Sequence, residues 1–122
     1  MSHKPAGAPG ITSLISESPA EVTIFTLSWC SYCHAVKHLL QSQNIPFHAV
    51  ELDTGIYREP VLNARLRQEL LSHTGSHTLP QVFIGNKNIG GYSDTQAALR
   101  QGDLATLLAE HGILIKGAAA TL

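Results

Sequence analysis

The chain has 122 residues, of which 43% are hydrophobic and 14% charged, with a formal net charge of −1; that is room for one hydrophobic core and too little for a second. Lys37, Lys87 and the four arginines are scattered, with only Arg65 and Arg67 close together, which argues against a phosphate-tracking stripe and against nucleic acid as a partner. Residues 1–10 are rich in Pro, Gly and Ala and hold no apolar h-region, so neither a secretory signal nor a membrane partner is expected, and a cytoplasmic location is the default, with an organelle as the alternative.

Taken in order, residues 1–18 are expected to form a flexible tail ending at Ser18-Pro19, followed by a folded domain over 19–115 and a loose tail over 116–122. Val22-Thr23-Ile24-Phe25-Thr26-Leu27 is a β-branched and aromatic run that predicts a buried strand. After Trp29 the period changes: Ala35, Val36, Leu39 and Leu40 share one helical face and Lys37, His38 and Gln41 the other, predicting a helix to about residue 43. Asn44-Ile45-Pro46 stops it, because the residue before a proline avoids helical geometry. Residues 47–52 read as a second strand, parallel to the first through a right-handed crossover.

A helix is predicted from Pro60 to about Thr74, with the proline at an early helical position and Gly75 at its end. Gln81-Val82-Phe83-Ile84 is a third strand, joined through Gly85-Asn86-Lys87 to Asn88-Ile89 as a hairpin. Ser93 or Asp94 is expected to cap a helix through Arg100, Gly102 to break it, and Asp103 to cap a last helix through Glu110. The order implies an α/β fold, a four-stranded mixed β-sheet flanked by helices.

Both cysteines lie in Trp29-Cys30-Ser31-Tyr32-Cys33-His34, where the strand pattern gives way to the helical one. Two thiols so close cannot staple distant parts of a fold. At a helix start, however, unpaired N–H groups and the helix dipole favour a thiolate on the first, which points to redox chemistry with Cys30 as nucleophile and Cys33 as the more buried resolving thiol. Inert buried thiols are the plain alternative. Cys30, Cys33, His34 and His38 also have a zinc-like spacing, but one helix cannot wrap all four around a tetrahedral ion. Cys-Ser-Tyr-Cys-His matches a haem-attachment pattern in a chain whose only methionine is Met1. His34 and His38 are read as solvated or packing histidines, and His48, His73, His77 and His111 as dispersed.

Three separated motifs, Cys30-Ser31-Tyr32-Cys33, Thr78-Leu79-Pro80-Gln81-Val82-Phe83-Ile84 and Gly90-Gly91-Tyr92-Ser93-Asp94, resemble the glutaredoxin family of the thioredoxin-like fold over residues 22–113. The resemblance implies a cis Pro80 facing the cysteines and a glutathione groove beside it. In that groove Thr78 and Leu79 would pair with the peptide like an added strand, Gly91, Ser93 and Asp94 would hold its γ-glutamyl end, and Tyr32 would line the wall. The chain departs from the family pattern at Leu27, where a lysine is common, which would leave Arg67 to meet the glycine carboxylate. It also has Ser31 where many members have proline, and a longer segment between Asp53 and Arg67 whose Tyr57-Arg58-Glu59 loop reads as an insertion beside the groove.

The implied activity is glutathione-dependent thiol–disulfide oxidoreduction, an enzyme acting on glutathionylated or disulfide-containing proteins with glutathione as co-substrate. The resemblance leaves a second reading, motivated by Trp29 and Ser31: a carrier of a [2Fe-2S] cluster bridged between two subunits by each Cys30 and two glutathiones. The protein would be a monomer in the first case and a cluster-bridged dimer in the second. A third reading is a redox-dependent binding module without turnover.

Overall fold

The structure is a computed structural model that describes residues 10–115. Its elements are α1 (Ile11–Ser16), β1 (Val22–Thr26), α2 (Ser31–Ser42), β2 (His48–Glu51), a 3-10 turn (Gly55–Arg58), α3 (Pro60–Thr74), β3 (Gln81–Ile84), β4 (Lys87–Gly90), α4 (Tyr92–Gln101) and α5 (Asp103–Glu110). The strands form one sheet in the order β2-β1-β3-β4. β1 is parallel to β2 and antiparallel to β3, and β3 is antiparallel to β4, so the expected mixed sheet is present.

Every residue of the central strand β1 is buried because helices cover both faces of the sheet. Val22, Ile24, Val82 and Ile84 pack against Val36 and Leu40 of α2 and Leu104 and Leu108 of α5. Phe25, Val50, Leu52 and Phe83 pack on the other side against Leu66 and Leu70 of α3. Phe25 and Phe83 meet edge to face with ring centroids 5.7 Å apart, a favourable aromatic geometry. α3 runs between the two signals read from the sequence: Glu59 receives the N–H groups of Val61 and Leu62, Pro60 opens the helix, and Gly75 closes it at φ 76°.

The N-terminal expectation requires correction. Within the segment expected to be a tail, residues 11–16 form α1, with Ile11 fully buried and Ile15 nearly so in the α3-side core. Glu69 of α3 accepts the Ile11 N–H at 2.8 Å. Tertiary contact, rather than local helix propensity, holds this one and a half turns, since isolated helices so short are marginal in water. The folded domain therefore begins by residue 10 instead of 19, while the expected tail over 116–122 lies outside the described residues.

Two caps also differ. Gly91, not Ser93 or Asp94, caps α4, with Asp94 one turn in and its carboxylate accepting the Gly91 N–H at 3.1 Å. Gly102, in the left-handed region at φ 87°, precedes α5, whose first residue is Asp103.

Candidate active site

Cys30 is the cap residue of α2. Its backbone is extended (φ −86°, ψ 119°), its C=O accepts the His34 N–H at 3.1 Å, and its Sγ accepts the Cys33 N–H at 3.2 Å. The half-buried Cys30 thiol also faces the C=O of Leu79 at 3.7 Å. Cys33, one turn further, is fully buried, and its Sγ meets the Leu27 N–H at 3.5 Å. Burial pushes the Cys33 thiol from its ordinary 9.0 up to about 12; the hydrogen bond with Cys30 adds to the rise and the Leu27 N–H opposes it. Both cysteines are free thiols.

The carbonyl-bearing Leu79 belongs to an open groove of about 520 Å³, lined by Thr74, Ser76, Thr78, Leu79 and Pro80 and by Gly90, Gly91, Tyr92, Ser93 and Asp94. The Leu79-Pro80 peptide bond is cis. Tyr32 and Tyr92 stand together at the groove with ring centroids 6.1 Å apart. Gly90 has φ 113°, and a Cβ there would fall against the Asp94 carboxylate, so the corner where β4 turns into α4 suits glycine alone. The first turn of α4 directs its N-terminal end to the groove, a suitable surface for a carboxylate.

The structure thus brings seven of the sequence-predicted residues, Tyr32, Thr78, Leu79, Pro80, Gly91, Ser93 and Asp94, together in the groove lining, with Cys30 3.7 Å from the Leu79 carbonyl and Cys33 one helical turn further on. Arg67 is set apart. It is exposed on α3 and lines a smaller recess of about 70 Å³ with Ser76, His77, Thr78 and Leu79, next to the groove rather than within it.

The loop before Cys30 is held from two sides. Ser28 donates its N–H at 2.9 Å and its hydroxyl at 2.6 Å to the two carboxylate oxygens of Asp53. That hydroxyl bond is the main reason the Asp53 carboxyl lies below its ordinary 3.8, with the Ser28 N–H and the nearby Arg67 charge adding to the effect. From α2, Nε2 of His34 lies 2.8 Å from the Ser28 carbonyl oxygen. His34, expected to be a solvated or packing side chain, is solvent-exposed, and its ring makes this hydrogen bond as well.

A family model described as Glutaredoxin matches residues 22–89. The chain belongs to the glutaredoxin family. It is 38% identical to a tomato glutaredoxin over 103 residues, covering 84% of this chain and 89% of the relative. It is 43% identical to monothiol glutaredoxin-S10 of rice over 89 residues, 73% of this chain but only 52% of that longer protein. Among solved structures, a buckwheat glutaredoxin–glutathione complex superposes with a TM-score of 0.73 at 31% identity, covering 84% of this chain and 87% of that one. The holo form of glutaredoxin C1 from poplar gives a TM-score of 0.70 at 33% identity, with 81% and 91% covered.

Glutaredoxins are in general thiol–disulfide oxidoreductases, and the thioredoxin-like sheet and paired cysteines of this glutaredoxin accord with that class. Sequence reasoning missed a polar network in the groove lining, between Gln81 and Asn88. Gln81, only 2% exposed, donates from Nε2 to the Thr78 carbonyl at 2.9 Å and accepts at Oε1 from Asn88 Nδ2 at 3.1 Å. Asn88 also donates to the Val82 carbonyl at 3.2 Å. The network ties the Thr78-Leu79 backbone to β4. Its sequence signal was a glutamine inside the buried run Gln81-Val82-Phe83-Ile84, where a polar side chain needs a partner. No group of three or more His, Cys, Asp or Glu side chains among the described residues is arranged to hold a metal ion.

Proposed function

We infer that this glutaredoxin reduces glutathione mixed disulfides and protein disulfides, with glutathione as the reductant. The observation that supports the reading is the contact of Cys30 Sγ with the carbonyl of Leu79, a residue of the groove lining, at 3.7 Å, with an N–H donor from its own helix at 3.2 Å. A buckwheat relative with the same fold was solved with glutathione, which supports that peptide as the groove's ligand.

In the reading, the glutathione backbone lies along Leu79 as an added strand, its γ-glutamyl carboxylate meets the N–H groups at the start of α4, and its amine faces Asp94. The Cys30 thiolate attacks the glutathionyl sulfur of a mixed disulfide. The protein–glutathione S–S bond breaks, a Cys30–glutathione bond forms, and the target protein leaves as a thiolate that takes up a proton. A second glutathione thiolate then attacks the Cys30-bound glutathione, releasing glutathione disulfide and restoring Cys30. For protein disulfides, Cys33 completes the exchange by attacking the Cys30–protein bond. Arg67 offers a positive charge at the edge of the groove for the glycine carboxylate.

Turnover of a glutathione mixed disulfide, coupled through glutathione reductase to NADPH oxidation, tests the reading. Activity that requires glutathione and disappears in Cys30→Ser is the expected outcome. A wild-type protein inactive under these conditions would overturn it, and anaerobic reconstitution giving a coloured dimer would instead favour the cluster-bridged alternative.

A further inference from the structure

Gln81 opens β3, and it is buried in a strand otherwise built from Val82, Phe83 and Ile84. A buried amide needs partners at both of its ends, and this one has them. Nε2 donates to the Thr78 carbonyl at 2.9 Å, with the Thr78 hydroxyl at 3.5 Å, and Oε1 accepts from Asn88 Nδ2 at 3.1 Å. Asn88 Nδ2 also donates to the Val82 carbonyl at 3.2 Å, where the β3–β4 ladder slips register between Val82 and Phe83. A carbonyl only accepts, so Thr78 and Val82 at the two ends fix which way both amides are turned.

The bond from Gln81 falls on the peptide unit between Thr78 and Leu79. That planar trans unit carries the Thr78 carbonyl on one side and the Leu79 N–H on the other, so holding the carbonyl aims the N–H. The Leu79 N–H has no acceptor among the described residues. Leu79 precedes a proline, which favours an extended backbone in which its N–H and C=O share one side. Its C=O is the group that Cys30 Sγ meets at 3.7 Å, so the unpartnered N–H of this groove-lining residue is directed to the sulfur's side of the chain. The preceding peptide unit is held separately, by the Ser76 hydroxyl, which accepts the Thr78 N–H at 3.1 Å.

We propose that Gln81, oriented by Asn88, is a positioning residue that presents the Leu79 N–H to the peptide backbone of glutathione, and so sets a preference for a glutathionyl sulfur over one that carries no peptide. The inference rests on the glutathione reading above. Both ends of the Gln81 amide are engaged by Thr78 and Asn88, so it acts through the Leu79 peptide rather than on the ligand. The step concerned is the uptake of the glutathionyl group. Cys30 Sγ attacks, the Cys30–glutathione bond forms, the original S–S bond breaks, and the departing thiolate takes up a proton. A disulfide without peptide groups offers the Leu79 N–H no backbone acceptor, and its reaction is indifferent to Gln81.

The test uses the full chain carrying Cys33→Ser, in which the reaction halts at the Cys30 mixed disulfide. The reduced protein is mixed with glutathione disulfide or with hydroxyethyl disulfide, both symmetric, and the rate of mixed-disulfide formation is followed by rapid quench and mass measurement. In that background Gln81→Met, which keeps the length of the side chain but donates nothing, should lower the rate constant with glutathione disulfide about three- to tenfold, as loss of one net hydrogen bond implies, and change that with hydroxyethyl disulfide by less than about twofold. Asn88→Leu should lower the ratio of the two rate constants by a smaller factor. The double variant should fall no further than Gln81→Met alone, because Asn88 acts through the Gln81 amide. Thermal unfolding checks that each variant is folded, and if Gln81→Met is not, Asn88→Leu carries the test by itself. Equal losses on both disulfides, an unchanged ratio in the folded single variants, or additive losses in the double variant would overturn the proposal. A parent protein whose preference for glutathione disulfide is no greater than that of free cysteine would instead defeat the underlying reading.

Discussion

The mouth and the floor of the active-site turn lie three residues apart and make different chemistry from the same side chain. At the mouth, Cys30 is half-buried, lies 3.7 Å from the carbonyl of the groove-lining Leu79 and receives an N–H from its own helix. At the floor, Cys33 is fully buried, and burial pushes its thiol up to about 12. One turn of helix converts a solvent-facing cap position into an interior one, because α2 turns its Cys33, Val36 and Leu40 stripe onto the sheet. The lesson is that helix phase and desolvation alone give the two sulfurs different surroundings, and the proposed division between nucleophile and resolving thiol rests on that difference.

The sharpest way to break the contrast is Cys30→Ser, which removes the half-buried sulfur at the helix cap. It is expected to lower turnover of glutathione mixed disulfides and of protein disulfides alike, by about 10³-fold or more, as loss of a nucleophile does elsewhere. Steady-state rates on the two substrates check this, and residual activity within tenfold of wild type would remove Cys30 from its proposed role. Cys33→Ser comes next and should separate the substrates: most glutathione mixed-disulfide turnover is retained while reduction of protein disulfides is largely lost. Parallel loss of both would mean that the floor thiol does more than resolve.

The raised thiol at the floor gives a third, smaller effect, on stability. The folded chain keeps the Cys33 proton up to about 12, whereas an unfolded chain gives it up near the ordinary 9.0. Between these values the folded state binds more protons, so this contribution is complete below about 9 and is lost as pH rises towards 12. Urea midpoints from pH 7 to 11 for wild type and Cys33→Ser check it. The wild-type midpoint should fall more steeply above pH 9, and identical slopes would contradict the buried, protonated thiol.

Most of this contrast was legible before any coordinates. The switch from the Val22-Thr23-Ile24-Phe25 run to the Val36/Leu40 spacing located Cys30 at the helix start, and Pro60 with Gly75 bounded α3 correctly. The groove residues from Thr78 to Asp94 came from resemblance rather than from periodicity, since loop backbone and helix caps leave little hydrophobic pattern. α1 was missed because Ile11, Leu14 and Ile15 make a pattern too short to distinguish from chance, and what holds it is Glu69, distant in sequence. The partner of Gln81 and the Ser28–Asp53–His34 clamp are not legible for the same reason: each joins polar groups through contacts between separate elements that local spacing does not encode. Arg67, expected to meet a carboxylate in the groove, occupies a face of α3 that opens on the adjoining recess.

The clamp supplies the smallest predicted effect and extends the contrast to the loop before the mouth. Asp53 holds Ser28 as a carboxylate, and the Ser28 hydroxyl, with help from its N–H and from the Arg67 charge, keeps the carboxyl ionised below the ordinary 3.8. A lowered acid contributes stability that is fully present above its unfolded value and is lost as pH falls through its folded value. Asp53→Asn resembles the protonated state at every pH. Wild type should therefore be the more stable near neutrality, with the difference beginning to close as pH drops below about 3.8 and gone once pH has fallen through the lowered folded value, where both proteins present a neutral group to Ser28. Thermal unfolding of the pair from pH 7 to 2 measures that convergence. A difference that stays constant across the range would assign the stability change to packing and leave the charge of Asp53 without a part in holding the loop.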